Sequence, residues 1–409
     1  MIRRDVRAGP GAPPVSGVST AAARGLPSAL TGYLRTNWSR DPFSYGSYSF
    51  LAAGSGEADR AVAAAPVCER LFFAGEAFNP RDQSSVHAAC ESGRAAADAV
   101  LGTGHGRIAV IGAGMAWLAA AERLAGAGRA VVVLEPRERI GGRVWTDRRL
   151  GVPLDLGASW IHGPDGNPVT ALAERAGAAR VETDDSAILR GADGRQIWQL
   201  FAPDWIATVL GEVSLGASYE EMNQAEAQAA FDAFGIGYKG RGVIFPGGYD
   251  RVFDALAGDY EMRLAAVVRG VAHGGDGVAV ALADGSEMRA DAAIVTVPLG
   301  VLQRCSVAFA PALPPAKTAA IARMGMGTLD KLYLVFEEAF WDREVTMILT
   351  PETGLARGQF TVWLNFEPYL GAPALLAFNY GPQARALSGE TDEALLERAL
   401  GVLRAAYPG

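Results

Sequence analysis

Gly112 and Gly114 flank one alanine, directly after the apolar run IAVI (108–111) and directly before the helix-forming run MAWLAAAERLAG (115–126). The first glycine permits a tight turn. The second lets an anion approach the free N–H groups of a helix N-terminus, where the helix dipole also favours negative charge. Glu135 ends the next apolar run, AVVVLE, 23 residues after Gly112. That is where a carboxylate accepts a ribose 2′-hydroxyl in dinucleotide-binding units. A second glycine pair and Arg143 follow in PRERIGGRVWT (136–146), placing a charge-assisted fork where a diphosphate would lie. The chemistry these residues suit is dinucleotide binding. Trp117 stands where the fingerprint has its third glycine. Either the helix sits further out or the dinucleotide is held less tightly, because overpacking a close contact costs about 1–3 kcal/mol. Lys331 is a separate candidate. The chain has three lysines (Lys239, Lys317, Lys331) against 34 arginines, and Lys331 begins the apolar run KLYLVF. A charge there is costly unless it is used or reaches outward.

The elements that must carry these residues follow from periodicity. IAVI, the helix after it and AVVVLE make a strand–helix–strand unit, which implies a parallel sheet with a right-handed crossover. RLFFAGEA (70–77) reads as a strand, leading into a small-residue helix over 84–101 and a flexible link, GTGHG (102–106). Residues 169–242 read as mainly helical, with a helix over 218–234. Strands are predicted around 262–268, 277–282 and 290–302, then at 330–336, 359–366 and 374–380, before a closing amphipathic helix over 392–407. Residues 1–27 read as loop.

Composition narrows the function class. Half the 409 residues are apolar and a fifth are charged, with net charge −8, which argues against a nucleic-acid footprint. Three scattered cysteines, Cys68, Cys90 and Cys305, make neither a disulfide framework nor a metal knuckle, so no metal is expected. No apolar run approaches the roughly 18 residues of a membrane helix. The expectation is a soluble cytoplasmic protein.

Several motifs converge on one family. IAVIGAGM, LEPRERIGGRVWT and DLGASWIHGPDGNPV, with IFPGGYDRVFDALA (244–257), ADAAIVTVPLGVL (290–302) and MGMGTLDKLYLVFEEAFW (324–341), resemble the flavin-dependent amine oxidases, in particular the polyamine and spermine oxidase branch. Two blocks usual at that family's C-terminus, NWSRDPFSYGSYSF (37–50) and LFFAGEAFNPRDQSSVHAACESGRAA (71–96), stand here at the front. The rotated order reads as a circular permutation joined at 102–106. A fragment of a tandem gene or a strand-exchanged homodimer would give the same text.

The resemblance implies an α/β fold: an FAD/NAD(P)-binding Rossmann-like domain interleaved with an α+β substrate domain. On this reading 28–67, 169–242 and 304–409 build the substrate domain, and 68–168 and 243–303 bind FAD. It implies non-covalent FAD, because Ser47 stands where monoamine oxidases carry the flavin-bonding cysteine. It assigns cofactor contacts to Gly75, Glu76, Ser85, Val86, Gly112, Gly114, Glu135, Arg137, Gly142, Arg143, Ala158, Ser159, Trp160 and Val268. The helix N-terminus near Ser84–His87 would stabilise negative charge on the reduced ring. Lys331 would hold a water against the flavin. Tyr48 and Ser85 would wall the amine slot and His162 would position substrate, while Trp38 is assigned to packing. The implied partners are a small-molecule amine and O2. An amino-acid oxidase or desaturase on the same fold stays open. So does a catalytically impaired binding module, kept alive by Trp117, by Ala88 in place of a glycine and by a shortened 169–242.

Overall fold

The computed structural model describes residues 25–79, 83–198, 203, 205–228, 242–255 and 260–408. In chain order the elements that position the site are β1 (Leu30–Arg35), α1 (Glu57–Ala64), β2 (Leu71–Phe73), α2 (Val86–Leu101), β3 (Arg107–Ile111), α3 (Met115–Gly126) and β4 (Ala130–Leu134). They continue with β5 (Ala187–Arg190), β6 (Gln196–Ile197), α4 (Trp205–Leu215), β7 (Glu261–Arg263) and β8 (Ala292–Val295). The last are β9 (Leu329–Phe336), β10 (Met347–Leu349), β11 (Val362–Asn365), β12 (Ala374–Tyr380) and α5 (Asp392–Ala406).

Two sheets dominate this mixed α/β fold. The first has strand order β7-β4-β3-β8-β2, and every neighbouring pair is parallel. Strands β2, β4 and β8, and β3 after Arg107, read as unbroken apolar runs because helices and loops cover both faces, while the edge strand β7 is partly exposed. Val295 of β8 is in register with Ile111 of β3 on one side and Phe73 of β2 on the other. The turns that follow β2 and β3 therefore leave the same sheet edge two strand spacings apart, roughly 10 Å. Helices α2 and α3 pack side by side. A Cβ on Gly93 would stand 2.0 Å from the carbonyl oxygen of Ala116, so only glycine allows this approach.

Trp117 does not occupy the nucleotide side. Its indole is fully buried and meets Tyr260 edge-on, with centroids 5.6 Å apart. The bulk is absorbed between α3 and the β7 edge of the sheet, and the tight helix contact is relieved by Gly93 instead. The cost falls on the indole N–H, which finds no hydrogen-bond partner among the described residues.

The second sheet runs β1-β9-β12-β11-β10-β5-β6, antiparallel except between β5 and β10. Leu332, Leu334 and Phe336 of β9 turn toward α5, packing with Leu396, Leu400 and Leu403. Tyr333 and Val335 point the other way, into a cluster that contains Ile206 and Val209 of α4. The alternation places Lys331 on this second face, beside Tyr333.

Some sequence expectations are corrected. Residues 290–302 are a four-residue strand followed by a helix at Leu299–Gln303, because Pro298 caps that helix rather than extending the strand. The run at 262–268 is split between β7 and a strand at Val268–Gly274, and β2 stops at Phe73, before Gly75. The described part of 169–242 is less helical than expected. It contains β5, β6 and Val181–Glu182, short strands that form because β10 and Val243–Ile244 offer partners distant in sequence. Residues 219–221 are turn and helix begins only at 224, while the rest of the expected helix, 229–234, lies outside the described residues. The predicted N-terminal loop falls almost wholly outside the described residues, as does Lys239.

The Gly93 contact can be tested against a neutral position in the partner helix. Gly93→Ala should destabilise the protein by about 1–3 kcal/mol in urea unfolding. Gly126→Ala, where a Cβ meets nothing within 4 Å, should be neutral or slightly stabilising. Equal effects at the two positions would contradict the packing described.

Candidate active site

A cavity of about 1610 Å³ opens between the two sheets, and both turns at the edge of the parallel sheet line it. At one end Gly112 adopts φ +107°, and a Cβ there would press within 2.5 Å of Thr296 Oγ1. Gly114 opens α3 with no side-chain cap, leaving the helix N–H groups facing the cavity. Its position faces the second glycine loop, where a Cβ on Gly142 would lie 3.5 Å from the Gly114 Cα. Glu135 is 2% exposed and accepts from the backbone N–H of Ala113 (2.8 Å) and of Arg137 (3.0 Å). Burial raises its pKa despite the Arg137 charge and these two bonds. A side-chain-free cradle at a helix N-terminus, with an acid at the end of the neighbouring strand, fits a dinucleotide.

Arg137 is held by both oxygens of Asp41, at 2.8 and 2.9 Å, and lies over the Phe43 ring. Ala158 and Val268 also line the cavity, and the Ala158 N–H donates to the Arg143 carbonyl. Arg143 is not a free fork. It donates to Glu76 Oε1 at 2.8 Å and to the Ser47 carbonyl at 2.9 Å.

Glu76, just after Gly75 in the FAGE turn, therefore joins the two turns. Besides Arg143 it accepts from Ser49 N–H and Oγ and from the Ser84 N–H. Burial alone would raise its pKa. Arg143, the Ser49 bond and the nearby Arg60 outweigh that and hold the carboxyl below its ordinary value. Next to it, α2 begins at Val86 with Ser85 as its cap, accepting from the Ala88 N–H. Both residues line the cavity, so a 16-residue helix aims its positive end there.

The other end is reached along β9. Lys331 is 5% exposed, and Nζ donates to the Asp155 carbonyl (2.7 Å), the Gly157 carbonyl (2.6 Å) and Ser159 Oγ. All three ammonium protons are taken, so holding a water would require one of these bonds to open. Burial lowers the Lys331 pKa and raises that of Asp155, whose carboxylate accepts from Thr146 Oγ1 and the Tyr249 N–H. The Lys331 ammonium also sits 5.8 Å from the Trp160 ring centroid. Trp160 stacks on His162, whose ring is exposed on the cavity wall and whose pKa is lowered by the surrounding protein and by His87. Tyr48 lines the cavity with its hydroxyl donated to the Val213 carbonyl of α4. Trp38, expected only to pack, also lines it and meets Trp145 edge-on.

Comparison with known proteins decides the family. The profile described as "Flavin containing amine oxidoreductase" matches residues 21–101, 115–196 and 188–409. The chain belongs to this family. It is 32% identical over 360 residues to Probable polyamine oxidase 4 of Arabidopsis thaliana, covering 74% of this chain and 71% of that protein. Polyamine oxidase 5 of Oryza sativa subsp. japonica is 30% identical over 74% of the chain and 72% of its own length. Lysine-specific histone demethylase 1 homolog 3 of Oryza sativa subsp. indica is 30% identical over 75% of the chain but only 44% of its own length. The protein is thus an FAD-dependent oxidoreductase acting on amines.

In this amine oxidoreductase the cavity lining contains no cysteine; Cys68, Cys90 and Cys305 all lie elsewhere. Ser47 lines the cavity, with its Oγ donating to the Leu329 carbonyl and accepting from the Leu329 N–H. Among the described residues no group of His, Cys, Asp or Glu side chains is placed to hold a metal, and no helix is long and apolar enough to cross a membrane. Two contributors escaped sequence reasoning, Asp155 and Asp330. Asp155 opens the DLGAS motif, where an acid ahead of small residues was the available signal. Asp330 precedes Lys331 but points to the opposite sheet face, and its Oδ1 accepts from Thr36 Oγ1 and the Trp38 N–H. It thereby anchors the loop that carries Trp38, Ser47 and Tyr48.

Burial pushes the Asp330 pKa up to about 7, against the two hydrogen bonds and Arg35. The folded state therefore keeps a proton that the unfolded chain has already lost. Stability from this group is complete below about pH 4 and declines as pH rises toward 7, by at most about 1.4 kcal/mol per pH unit. Asp330→Asn should flatten the thermal-stability profile across that window. A mutant profile parallel to the wild type would contradict the assignment.

Proposed function

We propose that the protein oxidises a polyamine or a related secondary amine at the carbon beside its nitrogen to an imine, which water hydrolyses to an aldehyde and an amine, while O2 takes up the two electrons as hydrogen peroxide. The observation that carries this reading is the continuity of one cavity. The cradle of Gly112, Gly114, Glu135 and Glu76 opens into the space walled by Lys331, Trp160, His162 and Tyr48. The names of the polyamine oxidases it is similar to support the substrate class. Bound FAD supplies the two-electron acceptor, which O2 regenerates.

The chain's own residues have three tasks. Gly112, Gly114 and the α3 N-terminus would hold the diphosphate, Glu135 the ribose, and Glu76, Val86 and the α2 N-terminus the ring end. The second task is deprotonating the substrate. An alkylammonium has a pKa near 10.4, so presenting free amine at pH 7 costs roughly 4–5 kcal/mol. Aromatic walls that exclude water disfavour the charged form, and His162 stays neutral there, so it adds no competing charge. The third task falls to Lys331. Burial lowers its pKa, so it places a cation that can give up its proton on the cavity wall where reduction of O2 develops negative charge.

For the rotated block order we propose a circular permutation. Gly25 lies beside Arg404 of α5, and Leu26 packs in the same core as that helix, the proximity a relocated junction requires.

Peroxide release over spermine, spermidine, benzylamine and amino acids tests the reading, together with Lys331→Met. We expect release with the first two, and a fall on the order of a hundredfold in the rate of reoxidation by O2 for the variant. No peroxide with any polyamine would overturn the substrate assignment. Unchanged reoxidation in Lys331→Met would remove the lysine's role.

A further inference from the structure

Two opposite charges are buried around one short stretch of backbone, and they are linked through its main chain. Lys331 reaches in from β9, and Nζ donates to the main-chain carbonyls of Asp155 (2.7 Å) and Gly157 (2.6 Å) and to Ser159 Oγ. The side chain of the same Asp155 accepts elsewhere, from Thr146 Oγ1 and from the Tyr249 N–H at 3.0 Å. Lys331 is 5% exposed and Asp155 7%.

The bonding selects the charged form of each. An ammonium has three protons and no acceptor site, and Lys331 meets three acceptors. Ser159 Oγ is committed to accepting, because its own proton goes to the Asp155 carbonyl (3.4 Å). A neutral amine would leave one buried oxygen without its donor. Asp155 Oδ1 likewise accepts two bonds, as an ionised carboxylate does. A cation held this far from water is strongly disfavoured without a counter-charge, and among the described residues Asp155 is the charged group that bears on Lys331.

We propose that Asp155 is a positioning residue for the reduction of O2: it supplies the counter-charge that keeps Lys331 an ammonium on the cavity wall. The cavity lining runs from Leu156 to Trp160 without Asp155, so Asp155 acts through the lysine. The inference rests on the role given to Lys331 above and adds what sustains it. Burial draws the two proton affinities toward each other, lowering that of Lys331 and raising that of Asp155, and each charge opposes the drift of the other.

The other groups around the pair do not take its place. Tyr333 donates its hydroxyl to the Asp155 carbonyl (3.2 Å), and its ring and that of Trp160 lie 5.9 and 5.8 Å from Nζ. Tyr249 is buried and held neutral. Arg148 and Asp250 also bear on the Asp155 carboxylate, but they are bonded to each other at 2.7 and 2.8 Å and offset one another there.

FAD-loaded wild type, Asp155→Asn, Lys331→Met and the double variant are compared in two ways. The first is urea unfolding. Each single variant leaves one buried charge uncompensated and the double leaves none, so the double variant's unfolding constant should be at least about tenfold more favourable than the two single losses predict together. Additive losses would overturn the pairing, whatever the protein oxidises. The second is reoxidation of reduced flavin by O2, followed by absorbance from about pH 6 to about pH 9. In Asp155→Asn the limb on which the rate falls with rising pH should lie at least about one unit below that of the wild type, a tenfold loss along that limb, and acid should restore the rate. A fall by the same factor at every pH, as from a purely structural change, or an unmoved limb would overturn the proposal with the lysine's role intact. Wild-type reoxidation in Lys331→Met would remove the lysine's role and this one with it, even where unfolding shows the pair.

Discussion

The site depends on one buried carboxylate. Glu76 is 5% exposed and collects bonds from the second glycine loop through Arg143, from Ser49 of the front loop, and from the turn that starts α2 through Ser84. Arg60 of α1 reaches the same cluster by donating to Ser49 Oγ and the Ala77 carbonyl. Removing one member of a buried pair typically costs 3–5 kcal/mol, because the partner charge is left uncompensated. Four segments far apart in sequence are thereby fixed around one end of the cavity. Glu76 is first of all a joint.

That joint gives the two sheets different work. The parallel sheet delivers turns, and its register sets the FAGE turn and the glycine turn side by side, as Val295 between Ile111 and Phe73 shows. The antiparallel sheet delivers side chains, Lys331 among them. Asp330 and Lys331, adjacent in sequence, face opposite sides of that sheet. The first secures the loop bearing Tyr48, and the second enters the cavity. One two-residue step in a strand thus connects loop anchoring to the reactive end.

Much of this was legible in the sequence wherever the signal was local. Glycine spacing, the strand before it and the acid after it are short-range features, and the same holds for α2, α3 and α5. Arg143 was legible as a charge near a diphosphate, yet its partner Glu76 lies 67 residues away and only the fold brings them together. The short strands at 181–182, 187–190 and 196–197 have too little periodicity to announce themselves and exist because other strands pair with them. Trp117 looked like an obstruction in one dimension. In three, Gly93 makes the room and the indole turns toward Tyr260. Asp155 was hidden because a buried acid acquires its perturbed character from surroundings no motif records.

The central claim is that these converging turns clasp one flavin dinucleotide without a covalent bond. Titration of FAD into apoprotein, followed by flavin fluorescence, tests it most directly. Saturation at one FAD per chain, full release of the flavin on denaturation, and weaker binding by Glu76→Gln are the predicted result. Apoprotein that takes up no FAD, or a Glu76→Gln variant that binds it as tightly as the wild type, would contradict the account.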